Sequence, residues 1–330
     1  MSILLFPRKV TFFDALTIPY VPSYILGVEE EKSLRMRLSD LIAAQHEDPQ
    51  MQAFYGALFL ALPIPKTLRE KITRLGANHL LALSGFHMGW LWAIVYGMLA
   101  LLYKPLQRRY FPWRHRVLDV GLVTVAILGG YLMLTGIPPS LLRAYAMVVV
   151  GWLALLFGIE LLSFSFLAFC ALLLLAFFPS LAWSIGFWLS VAGVFFIYLF
   201  LHHTKGWPPW LVFLGINLWV YLAMLPVVHL FFGTFDLYQM LSPLLTLLFG
   251  LFYPLAILLH AVGSGGLLDG WLTALLNEGM GAPVVTLKTP LWFFAAFITL
   301  VLAAVRYRVA LYGVMGCVGF FLLYLIEKVT

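Results

Sequence analysis

Between Glu160 and Lys205 the chain carries no Asp, Glu, Lys or Arg. A bilayer crossing needs about 20 apolar residues in a helix, so residues 161–204 hold enough for two crossings. This stretch is not exceptional in the chain. Charged residues make up 10% of the whole sequence and hydrophobic ones 63%, with a mean hydropathy of +0.99. Soluble domains carry roughly 25% charged residues. The chain therefore reads as an all-α, polytopic membrane protein.

The hydrophobic pattern predicts nine strong spans, over 79–103, 117–134, 141–158, 161–178, 184–202, 209–231, 240–262, 290–305 and 309–326. A weaker segment, 267–284, contains Asp269, Asn277 and Glu278 and reads as a tenth crossing or a re-entrant piece. Residues 1–50 form an amphipathic N-terminal segment, with a solvated helix expected from Glu29 to Asp48, and residues 51–330 form the membrane domain. Within the latter, 51–62 and the amphipathic stretch Lys66 to Arg74 are expected at the membrane interface.

Net charge is +6, and five of the basic residues fall in one loop, at Lys104, Arg108, Arg109, Arg114 and Arg116. Such a cluster marks the cytoplasmic side. His79 then enters from the outer face. Arg306 and Arg308 also fall inside if 267–284 crosses, which gives ten crossings with both termini outside. The two cysteines, Cys170 and Cys317, lie in apolar helices and point to buried thiols.

The polar residues concentrate at the ends of spans on the outer side. Asn78, His79, Ser84 and His87 lie within ten residues at one span's start. Polar groups in hydrocarbon need a partner or water. Gly85 and Gly89 form a Gly-x-x-x-Gly pair that permits close helix packing, and Ser84-Gly85 is a kink site. The histidines read equally as hydrogen-bonded packing residues. Thr135-Gly136-Ile137-Pro138-Pro139-Ser140 is a turn feeding a helix, with prolines suited to its start. Arg143 follows, the only basic residue between Arg116 and Lys205. An ionisable group in a span is a functional candidate, and a guanidinium facing a pore suits phosphate; snorkelling to the interface is the alternative. Trp188 and His229 mark two further outer span ends, the second next to Leu225-Pro226. There is no His-Glu-x-x-His, Cys-x-x-Cys or Walker-type loop, and no clustering of carboxylates suited to two metals, so no metal, cofactor, ATPase or nuclease centre is expected.

These residues resemble a known family. His79-Leu80-Leu81-Ala82-Leu83-Ser84-Gly85-Phe86-His87-Met88-Gly89 is similar to the signature of the ComEC competence proteins. Thr135-Gly136, Ser140, Arg143-Ala144 and Met147 resemble a second element of that family. Pro179 with Gly186-Phe187 and Leu189-Ser190 resembles a third, and Leu225-Pro226, Phe232-Gly233 and Ser242-Pro243 a fourth. Trp188 stands where the family usually has Gln, and Thr246 where Asn is common. The resemblance implies a channel in the bacterial inner membrane that passes single-stranded transforming DNA from periplasm to cytoplasm. It implies a periplasmic DNA receptor and a cytoplasmic motor ATPase as partners, besides membrane lipid. A homodimer would offer a pore between chains. The chain resembles the family's channel core without its outer DNA-binding and nuclease-like domains, so strand degradation would belong elsewhere.

On this reading the chain is not an enzyme. Arg143, Ser140 and Thr135 are the expected DNA path. His79, Ser84, His87, Trp188 and His229 are vestibule lining or helix anchors, and Gly85 and Gly89 are packing positions. Two alternatives stand beside it: an intramembrane hydrolase using Ser84 with His79 or His87, and a small-solute permease.

Overall fold

The computed structural model describes residues 2–5, 23–27, 33–158, 162–277 and 285–329. Two short strands, β1 (Ser2–Leu5) and β2 (Ser23–Gly27), pair antiparallel near the N-terminus. Everything else of size is helical. The N-terminal helices are α1 (Leu34–Ala43), α2 (Pro49–Leu60), α3 (Lys66–Arg74) and the single turn α4 (Asn78–Leu81). The bundle follows as α5 (Gly85–Tyr110), α6 (Arg116–Leu134), α7 (Pro139–Leu156), α8 (Phe164–Phe177), α9 (Ile185–His203) and α10 (Pro209–Phe231). Strand β3 (Thr234–Phe235), α11 (Ser242–Ala261), α12 (Asp269–Asn277), strand β4 (Val285–Thr286), α13 (Leu291–Ala304) and α14 (Arg308–Val329) complete the chain.

Among the described residues seven helical segments are long and apolar enough to cross a membrane, and α8 and α13 are shorter apolar helices. Each of the nine strong spans expected from sequence coincides with one of these. The chain is a multi-pass α-helical membrane protein. Helix α8 has 14 residues, or about 21 Å at 1.5 Å per residue, against a hydrocarbon thickness of ~30 Å. The 3-10 turn Pro179–Trp183 continues it and supplies more of the length. Large apolar side chains on the outside of the bundle, such as Leu101, Leu172, Phe213 and Leu251, are exposed. That suits lipid as the solvent.

Two helix groups make the bundle. Helices α5, α6 and α7 pack on one another, and α7 also contacts α8 and α9. Helices α9, α10, α13 and α14 share a second core around Phe196, Trp219, Ala223, Phe297 and Val314. Side-chain contacts fix which ends lie together. His203 Nε2 donates to the Ala304 carbonyl at 2.7 Å, which joins the ends of α9 and α13. Thr289 joins the start of α13 to the end of α10, its Oγ1 donating to Pro226 O at 2.8 Å and its N–H to His229 O at 3.2 Å. One face of the bundle thus carries the α5–α6, α9–α10 and α13–α14 turns with Arg114, Lys205 and Arg306. The opposite face carries His79 and His229.

The sequence-based topology needs two corrections. Helix α12 has nine residues, about 13.5 Å, too short to cross. It packs against α3 instead of spanning; residues 278–284 lie outside the described residues. The β3–β4 pairing, Thr234 with Thr286 and Phe235 with Val285, brings the chain back to the His79 face after α11 and α12. The re-entrant alternative for 267–284 is the one that fits, and the segment expected as a span over 240–262, though long enough to cross, turns back with it; Arg306 and Arg308 reach the Arg114 face without a tenth crossing.

The second correction concerns the N-terminal region. A boundary at residue 50 cuts α2 at its second residue. Helices α1 and α2 form one hairpin, closed by Arg35, whose guanidinium donates to Leu60 O at 2.7 Å and Ala61 O at 3.1 Å. Nor is 51–62 an interfacial strip. Met51, Tyr55 and Leu58 are fully buried, in a core shared with α3, α11 and α12 through Leu68, Leu75, Phe249, Tyr253 and Leu272. An apolar helix too short to span is covered by the re-entrant pair rather than by lipid. Of the solvated helix expected over 29–48, residues 34–43 are helical and residues 28–32 lie outside the described residues.

Candidate functional site

The first sequence element breaks where Ser84 and Gly85 stand. Helix α4 ends at Leu81, Ala82 turns into extended backbone, and α5 starts at Gly85. The break is stabilised by a capping box: the Ser84 hydroxyl accepts from the backbone at His87, and Ser84 N–H donates to His87 Nδ1 at 3.3 Å. A backbone N–H can only donate, so Nδ1 is the ring's acceptor and the proton sits on Nε2. That Nε2 is buried and has no hydrogen-bond partner. It lies among Phe249 and Tyr253, whose rings meet the imidazole edge-on at 5.3 and 4.7 Å.

His79 is held elsewhere. Its Nε2 lies 3.0 Å from Thr246 Oγ1. The threonine proton is given to Ser242 O at 2.8 Å, so His79 donates. Ser242 Oγ in turn donates to Gly76 O at 3.0 Å, and Gln239 Nε2 donates to Thr73 O and Thr234 O. The fourth sequence element is thereby sewn to the chain just before the first.

The second and third elements meet at Arg143. The α6–α7 turn puts Gly136 at φ +80° and Ile137 at φ +55°. Pro138 and Pro139 then open α7. Thr135 ends α6, donating to Leu132 O at 2.9 Å; it is buried and does not face an open path. Ser140 is half-buried one residue into α7. Arg143, one turn into α7, is only 6% exposed. It makes no ion pair and no hydrogen bond among the described residues, and its Nε is enclosed without a partner. Its guanidinium carbon lies 6.0 Å from the centroid of the Phe187 ring, a cation–π distance. A methyl group built on Gly186 would sit 3.9 Å from Nη1 and 4.0 Å from Nη2. The fork of the guanidinium therefore faces a position on α9 that has no side chain.

Ser184 caps α9 by accepting from Phe187 N–H at 3.2 Å, which sets Gly186 and Phe187 in place. Trp188 points away from Arg143's fork: its indole donates to Ala182 O at 2.8 Å and the ring is exposed. His229 donates from Nδ1 to Leu225 O at 3.0 Å, within its own helix, and its Nε2 is buried without a partner. Pro226 removes a backbone donor there, and Thr289 braces the broken turn. Gly85 and Gly89 have no atom of another element near the position a methyl would take. Among the described residues no helix uses them as a packing groove.

An apolar cluster of Leu83, Met88, Leu132, Leu141 and Ala144 joins the His79–His87 corner to the Arg143 corner. The four sequence elements thus share one face of the bundle, in two corners. The structure adds a third polar group that sequence reasoning missed, His46 with His260 and Asp269. His46 Nδ1 lies 2.8 Å from Asp269 Oδ2, and the two Nε2 atoms are 3.0 Å apart. His46 stands more than 200 positions from both of its partners in the chain, and no local motif announces the group. Among the described residues no group of three or more His, Cys, Asp or Glu could hold a metal ion.

Chemically, among the described residues this face offers one buried cation without a partner, Arg143, two buried imidazoles with an unused nitrogen, and one Ser–His contact, Ser84 Oγ to His87 Nδ1 at 3.2 Å. Among the described residues no carboxylate is hydrogen-bonded to His87.

Comparison with known proteins agrees with the sequence elements. A protein of Aquifex aeolicus described as an uncharacterized protein is 27% identical over 194 residues, covering 57% of this chain and 43% of its own. The matched part is thus less than half of that relative's length. No solved structure matches the chain. The family model described as competence protein matches residues 63–329, from just after α2 to the end of α14. The chain is a multi-pass membrane member of the competence protein family.

Proposed function

We propose that this protein is the inner-membrane channel through which a single strand of transforming DNA passes into the cytoplasm. The observation that carries this reading is Arg143. A buried, uncompensated guanidinium is costly unless its site is built for an anion. Its fork opens where Gly186 leaves room, and phosphate matches that fork. The basic turns Lys104–Arg116, Lys205 and Arg306–Arg308 would face the cytoplasm, so Arg143 would stand near the outer mouth.

Moving a phosphate inward against the membrane potential costs roughly 2.3 kcal/mol per 100 mV if the full field is crossed. A long strand therefore needs a separate motor, a cytoplasmic ATPase, and delivery by a periplasmic DNA receptor.

The Ser84–His87 contact favours the hydrolase alternative, but His87 Nδ1 already accepts the Ser84 N–H and, among the described residues, no acid stands behind the ring. Ser84→Ala should leave DNA entry largely intact and weaken the α5 cap. The test of the main reading is Arg143→Ala and Arg143→Lys in competent cells, with fluorescent DNA followed across the inner membrane. Label held in the periplasm, with both variants present in the membrane at normal amounts, supports the channel. Normal cytoplasmic entry would sink it.

A further inference from the structure

The His46–Asp269–His260 group has a proton count that its geometry fixes. His260 Nδ1 lies 2.7 Å from the Ala256 carbonyl, which can only accept, so this nitrogen carries a proton. His46 Nδ1 faces both oxygens of Asp269 at 3.0 and 2.8 Å. A proton is shared there too. The two Nε2 atoms then face each other at 3.0 Å, and a hydrogen bond between them needs one further proton. Three protons on two imidazoles make one positive charge, which the Asp269 carboxylate balances. Asp269 lies in the first turn of α12, where the helix dipole favours its charge.

The surroundings hold this count in place. The His46 side chain has no exposure, and that of Asp269 is 19% exposed. Tyr55 of α2 stacks on His46 with centroids 4.4 Å apart. Burial, and then the charge of Asp269, pushes its phenol well above the ordinary range, so it stays neutral. Gln45 accepts from Gly265 N–H at 2.8 Å and donates to His260 O at 3.2 Å. Gln52 donates to the His46 carbonyl, and Asp48 is engaged in capping α2. Glu47 is exposed. No other charged side chain among the described residues makes a hydrogen bond or ion pair with the trio.

We propose that these three residues form a one-proton latch, holding the α1–α2 turn against the α11–α12 turn only while the shared proton is bound. Losing that proton leaves two lone pairs face to face. Gaining a fourth either opposes two N–H groups or discharges Asp269 and strands the cation. The latch closes within a pH window and opens on both sides of it. The hairpin it holds carries Arg35, whose Nη1 sits 3.0 Å from where a methyl on Gly136 would lie. Latch position thereby bears on the turn that leads into Arg143.

The test uses the full-length protein in lipid nanodiscs, with Cys170 and Cys317 replaced by Ala and spin labels at Glu47→Cys and Val262→Cys. Both labelled positions are exposed and neighbour the latch. Distance distributions are recorded from about pH 5 to 8, the range in which histidine charge changes, and beyond it on both sides. The expected result is one short distance near neutrality, with loss of that population at each extreme. His260→Gln supplies a donor and an acceptor that do not titrate, so it should keep the short distance throughout. An invariant distance in the parent protein, or an unchanged pH response in His260→Gln, would overturn the proposal. The readout is structural, so it is independent of whether the protein carries DNA.

Discussion

Gly186 is where the fold and the proposed function can be separated. An alanine methyl there would lie 3.9 Å from Arg143 Nη1, 4.0 Å from Nη2 and 3.9 Å from Ser184 Oγ. All three are ordinary van der Waals contacts, so nothing has to move. Gly186 is the second residue of α9 and is helical, and alanine is favoured over glycine in a helix by up to about 1 kcal/mol. Gly186→Ala should leave stability unchanged or slightly higher. A phosphate oxygen bonded to either nitrogen would lie at ~2.8 Å from it. The new methyl is nearly equidistant from both nitrogens and covers the fork on that side. Losing one charge-assisted hydrogen bond costs about 1.5–3 kcal/mol, or roughly tenfold to a hundredfold in binding. Transformation frequency, with membrane abundance and thermal unfolding of the purified protein, reads both effects. Wild-type frequency in Gly186→Ala alongside a defective Arg143→Ala would refute approach of phosphate through this opening. Lower abundance or melting temperature would refute the packing argument.

Other substitutions test the fold on which the site rests. A methyl on Gly121 would clash with the Trp152 indole at Nε1, and that indole donates to Val117 O. Gly121→Ala should lower stability by about 1–3 kcal/mol through overpacking, read as a drop in thermal midpoint. Ile137 holds a left-handed backbone at φ +55°, which a β-branched residue adopts at a cost of about 1–2 kcal/mol. Ile137→Gly should relieve this strain, offset in part by its gain in unfolded-state entropy, and a lower midpoint would count against it. Trp113 and Trp183 are exposed in turns on opposite faces. Cysteines at these positions in a cysteine-free background should label from opposite sides in oriented vesicles, with position 113 reached only from the cytoplasmic side.

Much of the architecture was legible because lipid leaves so little choice. Nine apolar runs became nine apolar helices, since backbone hydrogen bonds there must close within the segment. Arg143 stood out for a related reason, as a lone charge inside an uncharged span. What stayed hidden depends on packing between distant segments. That α11 and α12 turn back is fixed by the β3–β4 pair and by α12 packing on α3, neither of which has a hydropathy signal. His46 looked like part of a solvated segment because its partners lie in α11 and α12. Thr135 looked like path lining because a hydroxyl beside a proline turn can face either way; in the fold it ends α6. Thr246, a departure from the family pattern, accepts the hydrogen bond of His79, which sequence alone could not pair.

One arginine is a thin provision for a polyanion only if the channel is expected to bind it tightly. Conduction asks for the opposite: binding strong enough to admit each unit and weak enough to release it. Most polar groups of the four elements are already bonded within the chain, His79 to Thr246, Thr135 to α6, Trp188 to Ala182 and His229 to its own helix. They position the rim without adding further grip. On the proposed reading, a single fork behind Gly186 would engage phosphates one at a time as the strand advances, and a motor would supply the pull. A second fixed cation beside it would deepen the trap. Adding one, by Ser140→Lys in the turn that leads to Arg143, should therefore slow entry even as it strengthens DNA binding. Faster entry in that variant would show that attraction, and not release, limits the proposed channel.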